Sequence, residues 1–144
     1  MPKLTIYNID ILSSLSLPFA DEGIRAGFPS PAQGHMDRSI DLNSDLVSNP
    51  DSTFYARVEG DSMIEANLNQ GDILVVDRSL RPSDGDIVVC VVEGEFTVKY
   101  IDIHPDHIVL RPANPAYRPL RIDDPYSVEG WGVVTYVIHA TRHK

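Results

Sequence analysis

From residue 53 almost to its end, the chain alternates apolar and polar residues or forms short β-branched runs. Alternation with a period of two predicts a strand with one buried face, and a short Val- and Ile-rich run predicts a strand buried on both faces. Seven segments follow one of these patterns: 53–59, 72–77, 86–92, 95–103, 107–112, 119–123 and 131–139. Nowhere does a long 3.6-residue period predict an amphipathic helix. We therefore predict an all-β domain over residues 53–144, folded as a compact barrel or as paired sheets.

Residues 1–52 have a different pattern, and we predict that they form a mobile N-terminal arm. Prolines and glycines punctuate this stretch, and the run FPSPAQG over 28–34 opposes a helix because it places two prolines two residues apart. Segment 36–47 is compatible either with a short helix capped by Asp37 or with a coil that packs a few apolar side chains. We expect the first strand to begin at Thr53.

Composition and charge narrow the possible functions. Twelve basic and 21 acidic residues give a formal net charge of −9, so direct specific binding of duplex DNA is not expected, since phosphates bind cationic surfaces. The single cysteine, Cys90, cannot form an internal disulfide, which is typical of a reducing cytosol. No apolar run approaches the roughly 18 residues of a membrane span, and the N-terminus lacks the apolar core of a signal peptide. We expect a cytoplasmic protein with no membrane contact.

A serine in a glycine-led turn is the first candidate for chemistry. The segment Gly60-Asp61-Ser62-Met63 follows the first predicted strand, although such a tripeptide is also common in ordinary loops. A serine nucleophile needs a base to accept its proton. The five histidines lie in the arm, in a predicted loop or in the C-terminal stretch, and none has the setting of a catalytic base. Their spacing with the single cysteine predicts no metal site.

A buried lysine can serve as the base instead of histidine. Desolvation disfavours the ammonium form and lowers the pKa of a lysine from its ordinary value of about 10.4. Lys99 lies inside the apolar segment FTVKYI, and strand alternation places Thr97 on the same face, where its hydroxyl can orient the amine. Taken alone, a lysine such as Lys99 is more often a solvated side chain on an edge strand.

Together, three ordered segments resemble the serine/lysine self-cleaving family of LexA-type repressors and UmuD proteins, and most closely its UmuD-like members. They are GDSM with Ser62, the run GDILVVD over 71–77, and EFTVK with Lys99. Members of this family cut their own N-terminal arm at an Ala-Gly or Cys-Gly bond. The corresponding bond here joins Ala26 to Gly27, just before the FPSPA run.

The resemblance implies a LexA-type β-rich domain, a homodimer and a serine peptidase that acts on its own chain. Ser62 would be the nucleophile and Lys99 the base, with Thr97 supporting the amine. The backbone N–H groups of Asp61 and Ser62 would bind the oxyanion. We expect no cofactor and no metal.

The resemblance also implies a role in SOS mutagenesis. A RecA–single-stranded DNA filament would stimulate cleavage between Ala26 and Gly27. The trimmed homodimer would then join a UmuC-like Y-family polymerase as the accessory subunit of an error-prone translesion enzyme. Two alternatives stay open: a LexA- or phage-type self-cleaving transcriptional repressor, and a non-enzymatic β-barrel adaptor. The short stretch before residue 53, rich in proline and glycine, offers no expected helix-turn-helix domain for a repressor.

Overall fold

A computed structural model describes residues 4–7, 16–19 and 38–142 of the chain. Within those ranges it contains ten β-strands, one α-helix and three short 3₁₀ turns. The strands are β1 Leu4–Tyr7, β2 Ser16–Phe19, β3 Arg38–Asp41, β4 Thr53–Val58, β5 Ile73–Asp77, β6 Ile87–Val92, β7 Glu95–Ile103, β8 Ile108–Arg111, β9 Leu120–Ile122 and β10 Glu129–Ile138. The helix α1 is Leu42–Leu46, and the turns are Pro50–Ser52, Ile64–Ala66 and Pro125–Ser127. In the described ranges, no helix has both the length and the apolar character that a membrane crossing requires.

The chain divides into two compact units, residues 1–9 with 49–144, and residues 10–48. The larger unit contains an eight-stranded antiparallel sheet in the order β1-β4-β5-β10-β6-β7-β8-β9. The seven strand segments of the sequence analysis correspond to β4–β10, so the prediction of an all-β domain is confirmed. The last strand, β10, lies in the interior of the sheet between β5 and β6, and it joins the two halves of the domain.

The expectation that the first strand begins at Thr53 is wrong. Strand β1 pairs with β4, with Leu4 opposite Val58, while β2 pairs with β3 in the smaller unit, with Ser16 opposite Asp41. These three strands have four residues each, which is too short for alternation to distinguish a strand from a loop. The proposed division of the chain into an arm over 1–52 and a domain over 53–144 stays a prediction.

Segment 36–47, whose sequence is compatible with a helix or a coil, contains the whole of β3 and then α1 within its described residues 38–47. Helix α1 begins after Asp41, whose carboxylate accepts a hydrogen bond from the backbone N–H of Asn43 at 3.0 Å. The cap is therefore Asp41 and not Asp37, because β3 occupies the residues between them.

Two hydrophobic clusters fill the larger unit, one on each face of the β6–β7 pair. Because side chains alternate along a strand, Val89 and Val98 belong to the first cluster, and Val88 and Cys90 belong to the second. The first cluster consists of Phe54, Ala56, Val58, Met63, Leu68, Leu74, Val76, Val89, Val98 and Ala113. The middle of β7, including the buried Thr97 and the partly buried Lys99, therefore lies in an apolar setting.

A tight hairpin sets the register of β6 against β7. Glu93 and Gly94 adopt φ values of 51° and 79°, the left-handed pair that a two-residue antiparallel turn requires. Val92 consequently faces Glu95, and the register continues so that Cys90 faces Thr97. The same register places Lys99 opposite the buried Val88.

Gly132 allows β10 to pass close to β5. A Cβ atom added there would stand 2.6 Å from Cγ1 of Val76, which is fully buried. We expect Gly132→Ala to lower the free energy of unfolding by about 1–3 kcal/mol, because the core cannot make room for the methyl group without strain. Urea denaturation measures this loss. If the clash is the cause, Val76→Ala combined with Gly132→Ala will cost less than the sum of the two single changes, and strictly additive costs would contradict the steric explanation.

Candidate active site

Ser62 lies in the loop between β4 and β5, at the start of a tightly wound segment. Gly60 has a φ of 90°, a left-handed conformation that glycine adopts without strain. The side chain of Met63 is 1% exposed and is packed in the first cluster, so it anchors the loop next to Ser62. Ser62 itself is also 1% exposed. The local sequence thus holds one hydroxyl at the edge of an apolar core.

Lys99 projects from β7 and meets Ser62. Its Nζ atom lies 3.0 Å from Ser62 Oγ, 3.0 Å from Thr97 Oγ1 and 3.1 Å from the carbonyl oxygen of Val98. Thr97 lies two residues earlier on the same face of the strand, as strand alternation predicts. The structure therefore brings Ser62, Lys99 and Thr97 into one hydrogen-bonded group.

The three partners of the amine suit both of its protonation states. As an ammonium, Lys99 donates to the Ser62 and Thr97 hydroxyls and to the Val98 carbonyl. As a neutral amine, it can donate to Val98 and Thr97 and accept the Ser62 proton on its lone pair. Loss of a proton therefore leaves no buried donor or acceptor without a partner. In the described part of the chain, no buried side-chain nitrogen or oxygen lacks a hydrogen bond.

Burial lowers the pKa of Lys99 below its ordinary value, because the ammonium form loses hydration. Cys90, which faces Thr97 across the strand pair, is the nearby group that opposes this shift. However, burial also raises the pKa of the Cys90 thiol to about 12. Cys90 is therefore neutral at physiological pH and supplies no negative charge to hold the ammonium. Desolvation is therefore the dominant influence on the pKa of Lys99.

The described histidines are engaged elsewhere. His139 Nδ1 lies 2.6 Å from the buried carboxylate of Asp72, and His107 Nδ1 lies 2.7 Å from Asp106. His104 stacks on the His107 ring at a centroid distance of 4.4 Å. Lysine is thus the base candidate that contacts Ser62. Within the described ranges, no group of three or more acidic, histidine or cysteine side chains is arranged to hold a metal ion.

The segment after β8 is hydrogen-bonded to the loop that carries Ser62, a contact that the sequence does not predict. The N–H of Ala113 donates to the carbonyl of Ser62 at 2.9 Å, and the N–H of Glu65 donates back to the carbonyl of Ala113 at 2.8 Å. The available signal was the dipeptide Asn114-Pro115, which favours a turn. That signal says nothing about what the turn contacts.

The predicted oxyanion donors, the backbone N–H groups of Asp61 and Ser62, belong to the loop that carries the Ser62 hydroxyl. The carbonyl of Asp61 accepts the N–H of Ile64 at 3.2 Å. Within the described ranges, the N–H of Ser62 has no hydrogen-bond partner. Ala26 and Gly27, the predicted cleavage site, lie outside the described residues.

Comparisons with known proteins agree with the sequence motifs. A model of the Peptidase S24-like family matches residues 18–135. Protein SamA of Salmonella typhimurium is 45% identical over 125 residues, which cover 87% of this chain and 86% of that protein. Protein MucA of Escherichia coli is 46% identical over 122 residues, 84% of this chain and 83% of that protein. The LexA repressor of Leptospira biflexa is 38% identical over 98 residues, 68% of this chain and 48% of that protein. The family prediction is confirmed: the chain belongs to the Peptidase S24-like family of self-cleaving serine peptidases.

Proposed function

We propose that this chain cuts its own Ala26–Gly27 bond, with Ser62 as nucleophile and Lys99 as general base. The observation that carries the proposal is the 3.0 Å contact between Lys99 Nζ and Ser62 Oγ at the edge of the apolar core. A nucleophile within hydrogen-bond reach of its base, and a third group that orients the base, is the arrangement that activates a serine. Thr97 is the orienting group.

The first half of the reaction forms an acyl-enzyme. Neutral Lys99 accepts the proton of Ser62, and Oγ forms a bond to the carbonyl carbon of Ala26. The negative charge that develops on the Ala26 oxygen is stabilised by the backbone N–H groups of Asp61 and Ser62. The C–N bond then breaks, and Lys99 returns the proton to the departing amine of Gly27.

The second half releases the arm. Lys99 accepts a proton from a water molecule, and the resulting hydroxide attacks the ester carbon of Ala26. The ester bond breaks, and Ser62 recovers its proton from Lys99. The products are residues 1–26 and residues 27–144, and the catalytic groups return to their starting state.

A bond between two small residues suits this site. Ala26 offers a single methyl group, and Gly27 lets the scissile backbone approach a buried hydroxyl closely. Thirty-odd residues of extended chain span on the order of 100 Å. The bond can thus reach its own site or that of a dimer partner.

We place this cleavage in SOS mutagenesis in the cytoplasm. SamA and MucA resemble the chain over most of their length, which supports a protein of the UmuD-like type. In this role a RecA–single-stranded DNA filament stimulates the cut. The trimmed homodimer then becomes the accessory subunit of a UmuC-like Y-family translesion polymerase.

Gly27→Glu is expected to block cleavage, because a bulky charged side chain must enter a slot shaped for bare backbone. Incubation of the purified variant at alkaline pH, followed by mass spectrometry, measures the fragment. Gly34→Glu is the matched control, because it places the same charge in the arm away from the scissile bond. Unchanged cleavage of Gly27→Glu, or an equal loss in Gly34→Glu, would show that the site is placed wrongly.

The same incubation separates the alternatives. A non-enzymatic adaptor yields no fragment at any pH. A LexA-type repressor also cleaves itself, and the match to the Leptospira biflexa LexA repressor keeps that function as the second candidate. Binding of the intact chain to duplex DNA, with loss of binding after cleavage, would favour the repressor over the polymerase subunit.

A further inference from the structure

A proline turn stands directly beside the nucleophile loop. Residues 114–117 close this turn, with the N–H of Tyr117 donating to the carbonyl of Asn114 at 3.1 Å. The side-chain oxygen of Asn114 accepts the N–H of Ala116 at 2.9 Å. Asn followed by Pro is the residue order that such a turn favours. Because Oδ1 is committed to the turn, the orientation of the Asn114 amide is set, and its Nδ2 group points outward as a donor.

That donor reaches the residue before the nucleophile. Asn114 Nδ2 donates to the backbone carbonyl of Asp61 at 2.9 Å. The hydroxyl of Tyr117, from the other end of the same turn, donates to Asp61 Oδ1 at 2.7 Å. The turn therefore holds both the backbone and the side chain of Asp61.

Because the peptide between Asp61 and Ser62 is planar, the contact with the Asp61 carbonyl also affects the N–H of Ser62. In the trans peptide that joins Asp61 to Ser62, the carbonyl and the N–H lie in one plane and point in opposite directions. Fixing the Asp61 oxygen therefore fixes the direction of the Ser62 N–H, the group proposed to bind the oxyanion. A hydrogen bond to the carbonyl also polarises the peptide and strengthens its N–H as a donor.

We propose that Asn114 is a positioning residue that aims the oxyanion-binding N–H of Ser62, with Tyr117 as its support. The inference rests on the self-cleavage proposed above. It is strengthened by Ala113, whose N–H holds the carbonyl of Ser62 at 2.9 Å. The peptides on both sides of the nucleophile are thus held by two consecutive residues of one segment.

The expected effect is a slower chemical step without a change in the base. Removal of a direct oxyanion donor costs about 10²–10³ in rate. Asn114 acts through another group, so we expect Asn114→Ala to lower the first-order cleavage rate by about tenfold or more at every pH. The midpoint of the pH profile will stay where it is, because Asn114 makes no contact with Lys99.

A second turn in the same chain offers a matched control. Residues 124–127 form a similar turn, in which an aspartate takes the place of the asparagine before the proline. Asp124 Oδ1 accepts the N–H of Tyr126 at 3.0 Å, and the carbonyl of Asp124 accepts the N–H of Ser127 at 3.0 Å. Asp124→Ala removes the same kind of cap, but the bonds of this turn stay within the turn and its own 3₁₀ segment. We expect it to lower the melting temperature about as much as Asn114→Ala and to leave cleavage at the wild-type rate.

Asn114→Asp separates folding from positioning. The carboxylate retains the oxygen that accepts from Ala116, so the turn is kept. At any pH at which the carboxyl group is ionised, the new side chain has no proton to donate to the Asp61 carbonyl. We therefore expect a near-normal melting temperature with a cleavage rate at least as low as that of Asn114→Ala. Tyr117→Phe, which loses only the bond to Asp61 Oδ1, is expected to show a smaller loss of the same kind.

The decisive experiment records cleavage of the full chain from pH 6 to 10.5 for wild type and these variants. A lowered rate with an unchanged midpoint in Asn114→Ala and Asn114→Asp, beside a normal rate in Asp124→Ala, supports the proposal. A wild-type rate in Asn114→Asp overturns it. So does a midpoint that moves upward in Asn114→Ala, because the turn would then act by keeping Lys99 buried. Ser62→Ala serves as the reference: cleavage that survives in Ser62→Ala refutes the proposed function itself and not only the role of Asn114.

Discussion

Ser62→Ala and Lys99→Ala are each expected to abolish self-cleavage, with a loss of roughly 10⁴-fold or more. The nucleophile and the base act as one unit, so either deletion removes nearly the whole effect, and the double variant loses little beyond each single change. The 3.0 Å contact between Nζ and Oγ is the physical basis of this expectation. The rate of fragment appearance in the purified protein is the measurement.

The two variants are expected to keep the fold. Ser62→Ala leaves Lys99 with its bonds to Thr97 and to the Val98 carbonyl. Lys99→Ala removes a half-buried charge and not an apolar core side chain. Ser79→Ala is the matched control, because it deletes another serine hydroxyl that is hydrogen-bonded, in this case to Asp77 at 2.6 Å. Cleavage at the wild-type rate in either folded dyad variant would exclude the proposed mechanism.

The rate of unaided cleavage is expected to rise with pH. Only the neutral amine accepts a proton, and burial lowers the pKa of Lys99 without supplying an opposite charge. Below that pKa the neutral fraction, and with it the rate, grows about tenfold per pH unit, and it levels off once the amine is mostly neutral. The levelling should fall below the ordinary lysine value of about 10.4. First-order rates from pH 6 to 10.5 measure the profile.

The sign of the shift also governs stability. A lysine whose pKa is lower in the folded state releases its proton before the unfolded chain does. The free energy of unfolding therefore increases with pH between the lowered pKa of Lys99 and its ordinary value. The rise in stability therefore begins near the pH at which the cleavage rate levels off, and it would be absent if the amine were freely hydrated in the folded chain.

Lys99→Arg tests the assignment of the titrating group. A guanidinium remains charged throughout this range, so the variant should lose the pH-dependent rise. A RecA filament is expected to move the rise to lower pH in the wild type, if it favours binding of the N-terminal arm in the site and so dries the surroundings of Lys99. A flat profile in the unaided wild type would mean that Lys99 does not titrate in the rate-limiting step.

Much of the fold could be predicted because its signals are local. Strands β4–β10 contain alternation or β-branched runs, and the Glu93-Gly94 turn marks one hairpin. The order of the strands in the sheet could not be predicted from local signals, because β10 lies between β5 and β6, from which it is distant in sequence. Strand β1 was missed for a related reason: four residues carry too little pattern, and the strand is defined by its pairing with β4.

The candidate site divides in the same way. Ser62 and Lys99 could be selected from short motifs, and Thr97 from strand alternation. Their contact could not be derived, since it depends on how the β4–β5 loop lies against β7. Asn114 could not be selected from the sequence, because an Asn-Pro pair predicts only a turn. The hydrogen bond from its side-chain amide to the Asp61 carbonyl forms only in the folded chain. The type of chemistry that a side chain can perform follows from its residue type, but the groups that it contacts depend on how the strands and loops are arranged in the fold.

One measurement tests the central claim most directly: N-terminal sequencing of the fragment formed when the purified chain is incubated at pH 10, beside Ser62→Ala treated identically. The account predicts a wild-type fragment that begins at Gly27 and no fragment from Ser62→Ala. A wild-type fragment that begins at any other residue would contradict the proposed bond. The same Gly27 fragment from Ser62→Ala would contradict the proposed nucleophile.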